Sequence, residues 1–115
     1  MSRVDNYILT APCLTSDLFL EDLNKRLAEL GNFKGSSFVA VHDAAGGPKN
    51  LEANVYLAAM NWTEQSLVVQ AIVDTLAANP NLYGKECFQL FVQGQEDDKF
   101  REVTLATQMS HGNES

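Results

Sequence analysis

Two periods run through the hydrophobic and polar positions of this chain, one of about 3.6 residues and one of two, and together they predict seven elements. Tyr7-Ile8-Leu9-Thr10-Ala11 reads as a short strand, closed by Pro12, which has no amide hydrogen for a ladder and holds its predecessor extended. Thr15, Ser16 and Asp17 then offer N-cap oxygens. Phe19, Leu20, Leu23, Leu27 and Leu30 recur at helical spacing against Glu21, Asp22, Asn24, Lys25, Arg26 and Glu29, so a helix is expected over 16–30, stopped by Gly31. Residues 36–42, around Phe38-Val39-Ala40-Val41, read as a second strand, and 43–50 as a loop. A third strand over 51–61 alternates, with Leu51, Ala53, Val55, Leu57 and Ala59 expected to face the core.

Thr63 is the expected cap of a second helix, whose stripe is Val68, Val69, Ile72, Val73 and Leu76, with Gln65, Gln70 and Asp74 outside. Asn79-Pro80-Asn81 ends it. Over 87–93, Phe88, Leu90 and Val92 alternate with polar and larger positions as a half-buried strand. Residues 94–99 turn the chain, and 100–105 read as a last strand completing a hairpin. Residues 1–106 are thus expected to form a single α+β domain, and the polar stretch 107–115, which has no apolar period, a disordered C-terminal tail.

The order β-α-β-β-α-β-β fits a two-layer sandwich of ferredoxin-like, split βαβ type. Its mostly antiparallel five-stranded sheet takes the order 5-4-1-3-2, with a parallel pair between the first and third strands and both helices on one face. A doubly wound sheet needs helices on both faces and more continuously apolar strands. In this arrangement one sheet end gathers Pro12, Cys13, Asn61, Trp62, Glu86 and Cys87. The other gathers Asp5, His42, Asp43, Glu96, Asp97 and Asp98 as a broad acidic rim, since neighbouring strands lie about 4.8 Å apart. The sheet face away from the helices is expected to present Tyr56, Met60, Phe91, Gln89 and Gln93, with Asn54 and Glu52 toward one end. Aromatic residues and methionine among amides are what interface cores are enriched in.

Composition narrows the partners. The 115 residues hold 8 lysine and arginine against 15 aspartate and glutamate, a formal charge of −7, with 45% hydrophobic residues. Such a chain can bury one core, and its scattered cations disfavour nucleic acid and anionic membranes as partners. No apolar run approaches the roughly 20 residues of a membrane helix, and the polar start Met1-Ser2-Arg3-Val4-Asp5-Asn6 has no apolar signal core, which leads to the expectation of a cytoplasmic protein.

Candidate chemistry is sparse. Cys13 and Cys87, the only cysteines, fall at neighbouring strand ends, so a thiol pair is one reading and two separate reduced thiols the other. Neither His42 nor His111 is expected beside a thiol, and no Cys-x-x-Cys or His-x-x-x-His spacing points to a metal. Glu96-Asp97-Asp98 lack the alternation of a calcium loop and read as a solvated turn. Gly46-Gly47-Pro48-Lys49 lacks the spaced glycines and the following helix of a phosphate loop. No cofactor or catalytic group is expected.

These features favour a small acidic protein-binding module of inhibitor, immunity or adaptor type, acting by stoichiometric binding. Its contact residues are Asp43, Tyr56, Met60, Trp62, Phe91, Glu96, Asp97 and Asp98, with a basic protein as the fitting partner. The alternative is a small-molecule-binding or minimal enzymatic domain that forms a homodimer through the open sheet face and encloses a pocket there.

Overall fold

The computed structural model of the chain describes residues 4–12, 15–29, 37–41, 53–61, 64–79 and 87–105. The elements are β1 (Val4–Pro12), α1 (Asp17–Glu29), β2 (Val39–Ala40), β3 (Ala53–Asn61), α2 (Gln65–Ala77), β4 (Gln89–Gln93) and β5 (Arg101–Val103). The expected tail over 107–115 lies outside the described residues.

The protein is α+β, a five-stranded sheet with two helices, and the strands run β2-β3-β1-β4-β5. Counted from the β5 edge, these are the neighbours 5-4-1-3-2. The expected parallel pair is absent, because β1 and β3 are antiparallel, like every other neighbouring pair. The reason lies in the first crossover. The 13 residues of α1 span about 20 Å, which carries the chain back along β1, so β2 starts where β1 started and runs parallel to it. Since β3 lies between them and opposes β2, it must oppose β1 too. α2 repeats the device, joining β3 to β4 across β1.

Ser16 starts α1: its hydroxyl accepts the Leu18 amide at 3.0 Å and its carbonyl the Phe19 amide at 3.0 Å. The helix turns Phe19, Leu23 and Leu27 inward, while Leu18 stands 66% exposed. α2 begins one residue later than a Thr63 cap requires: Glu64 occupies the N-cap position and makes no side-chain cap bond. Val68, Val69, Ala71, Ile72, Val73, Thr75 and Leu76 are buried, a wider face than a single stripe. Gln70 and Asp74 stay outside as expected, joined by a 2.8 Å hydrogen bond.

The two helices pack against one sheet face. β1 contributes Tyr7, Leu9 and Ala11 to the core, and β4 contributes Leu90 and Val92, with Phe88 just before it. Phe19 of α1 lies 5.8 Å from Tyr56 and 5.1 Å from Phe88, ring centre to ring centre, and so ties the helix layer to β3 and β4.

For β3 the expected face is reversed. Tyr56 and Met60 are buried under the helices, whereas Leu57 is 39% exposed on the other side. Residues opposed across a ladder share a face, and Leu9 opposes Tyr56 while Asp5 opposes Met60. With Leu9 in the core, Tyr56 joins it. Both alternating sets of β3 are apolar, so size decides: a tyrosine and a methionine fill the gap to the helices, which the smaller Val55 and Ala59 cannot.

Candidate functional site

The same registers define the sheet face away from the helices, which no described element covers. It carries Val4, Asn6, Ile8, Thr10 and Pro12 of β1, Val55, Leu57, Ala59 and Asn61 of β3, and Gln89, Phe91 and Gln93 of β4. Val39 of β2 stands opposite Leu57, and Glu102 of β5 opposite Phe91. None of these β1, β3 or β4 positions carries a charge. In a chain where one residue in five is charged, solvent-facing positions of a half-buried sheet are where charges belong.

Across this face runs a groove of about 570 Å³, lined chiefly by Asn6, Ile8, Val39, Leu57, Ala59 and Phe100. Val39 is 56% exposed and Phe100, from the segment between β4 and β5, is 37% exposed. With Leu57 they account for three of the five large hydrophobic side chains that stand exposed among the described residues. Amides flank them: Asn6 donates to the Gln93 carbonyl oxygen at 3.2 Å, and Gln89 donates to Glu102 at 3.3 Å.

Of the expected contact residues, Phe91 lies on this face, half-buried. Tyr56 and Met60 are core residues and cannot touch a partner without unfolding β3. Asn54 is also removed from the open face: its amide donates to the carbonyls of Pro12 and Thr15 at 3.2 and 3.3 Å, pinning the exit of β1. Glu52, Asp43 and Trp62 lie outside the described residues, as do His42, His111 and the 46–49 stretch.

Of the expected acidic rim, His42 and Asp43 lie outside the described residues. β2 runs parallel to β1, and the Val41 amide donates to the Val55 carbonyl at 3.0 Å, toward the Pro12 end of the sheet. Glu96, Asp97 and Asp98 sit at the other end, where Asn61 also lies, opposite Val4. Asp5 is at that end but buried, 4% exposed, on the helix side. Asp97 closes the turn: its carboxylate accepts the Gly94 amide at 2.9 Å, its own amide donates to the Gly94 carbonyl at 3.0 Å, and Arg101 stands 4.0 Å away. A Cβ on Gly94 would lie 3.0 Å from that carboxylate, which would have to give by a few tenths of an ångström to admit a side chain. Glu96 and Asp98 are exposed.

Cys87 is a free, exposed thiol. It lies two residues before Gln89, the first residue of β4, which pairs with Thr10, while Cys13, the expected partner thiol, lies outside the described residues. Among the described residues no three histidine, cysteine or carboxylate side chains gather as a metal site. No described helix is long and apolar enough to cross a membrane.

Sequence reasoning missed Asn6, Ile8, Val39, Leu57, Ala59 and Phe100 as a surface. The signal was present in the lack of charge at every second position of three strands, and it needed the register to become a face. Against known proteins, no family model matches the chain and no curated protein matches it significantly.

Proposed function

We propose that the protein acts by association and not by chemistry on a bound substrate: a small binding module of ferredoxin-like type with an added fifth strand, working through the open face of its sheet. The split crossovers of β1-α1-β2 and β3-α2-β4 support the fold assignment. One observation carries the functional reading, the open face with no charge on β1, β3 or β4, its groove and its exposed Val39, Leu57 and Phe100. Exposed apolar side chains grouped in one place, rimmed by amides, mark a surface that is covered in use. Phe91 belongs to the same surface, while the exposed carboxylates Glu96 and Asp98 lie on the turn between β4 and β5. Asp97 is committed to its turn.

The test uses the tagged protein, its Leu57→Glu variant and its Leu18→Glu variant as baits in a cell extract. Leu18 is exposed on α1, on the far side of the molecule from the groove. Proteins retained in stoichiometric amount by the wild type and by Leu18→Glu, and lost from Leu57→Glu, are the expected result. Equal recovery by all three contradicts the reading.

A further inference from the structure

We propose that the open sheet face is covered by a second copy of the chain, face to face about a two-fold axis. This rests on the reading that the face is the working surface, and it names the occupant. Charge makes the choice. Each copy carries −7, with 15 acidic residues against 8 basic, so charges placed on a self-pairing face would mostly set carboxylate against carboxylate. A face made by β1, β3 and β4 without one charged residue is the form that two such copies can bring together. A basic foreign protein calls for the opposite, carboxylates on the contact surface. Of the described carboxylates only Glu102 reaches the face, on the edge strand β5 opposite Phe91, where it accepts from Gln89; Asp17, Glu21, Asp22, Glu29 and Asp74 lie on the helices, and Glu96, Asp97 and Asp98 on the turn.

The polar groups on the face point the same way. Asn6, Gln89 and Gln93 carry carboxamides, each both donor and acceptor, so an amide can pair with its own image where a carboxylate or an ammonium cannot. Size sets the strength. β1 and β3 have nine residues each, β4 five and β2 two, which at about 3.3 Å per residue and about 4.8 Å per strand offer on the order of 400 Å² per copy. The total of about 800 Å² is below the roughly 1,000 Å² of a stable specific interface, so the dimer is a weak one, expected to dissociate on dilution through the micromolar range.

The test is sedimentation velocity on the full chain from about 1 μM to about 1 mM. The wild type is expected to move from monomer to dimer across this range. Leu57→Glu and Val39→Glu, which place carboxylates on exposed positions away from the core, are expected to raise the dissociation constant at least about tenfold with unchanged circular dichroism. Leu18→Glu is expected to match the wild type. A wild type that stays monomeric throughout overturns the proposal, and so does a dimer that Leu57→Glu leaves intact. Combined with the bait experiment, the two failures separate. A monomer whose Leu57→Glu variant still loses retained proteins removes only the second copy, while a monomer with no such difference removes the working surface as well.

Discussion

Asn24 does for the backbone of Phe38 what a neighbouring strand does elsewhere. Its side-chain carbonyl accepts the Phe38 amide at 2.8 Å, and its own amide donates to the Phe38 carbonyl at 3.0 Å. A helix side chain thereby holds the entry to β2, whose Val39 flanks the groove. Phe38 itself is buried and lies 6.3 Å from the Tyr7 ring, so the two hydrogen bonds and one aromatic contact fix where the edge strand begins. Removing the side chain as Asn24→Ala leaves two backbone groups to find water at the edge of a core, an expected cost of about 1–3 kcal/mol in urea unfolding. Ser16→Ala is the second residue-scale expectation. It deletes the oxygen that caps α1 and is expected to lower stability by about 0.5–2 kcal/mol in the same measurement.

At the scale of the element, β3 is the decisive case. The 3.6-residue period of both helices was legible because each has a polar face: Lys25 and Glu29 stand opposite Leu23 and Leu27, and Gln70 and Asp74 stand opposite Ile72 and Leu76. The inward set of β4 was legible for the same reason, with Gln89 and Gln93 marking its outer side. β3 offers no such mark. Tyr56, Ala58 and Met60 on one side and Val55, Leu57 and Ala59 on the other are both apolar sets, so period alone left the faces interchangeable. The sense of β3 against β1 was lost through the connection, since only the return path of α1 sets it. These two misreadings put the candidate site on the wrong residues, Tyr56 and Met60, and left Leu57 in the core. The assignment has a direct check in stability. Met60→Ala is expected to cost about 2–5 kcal/mol, as for a fully buried side chain, and Leu57→Ala under about 1 kcal/mol. Equal costs would place Leu57 in the core after all.

For the whole molecule, the account joins two facts: a chain of charge −7 and a sheet face that bears no charge on its three central strands. Two acidic copies repel at long range while their apolar faces attract at contact. Salt separates these terms, because raising ionic strength from about 0.05 to about 0.3 M shortens the Debye length and screens the repulsion without weakening apolar burial. Self-association is therefore expected to strengthen with salt, read as a falling dissociation constant by sedimentation, whereas the pairing of an acidic face with a basic protein weakens over the same range. The most direct test of the face itself is a dilution series of amide and methyl chemical shifts on the isotope-labelled protein. The account predicts concentration-dependent shifts gathered at Asn6, Ile8, Val39, Leu57, Ala59 and Phe91, with the outer positions of α1 and α2 unmoved. Shifts gathered on the helices, or none on the sheet at any concentration, would contradict it.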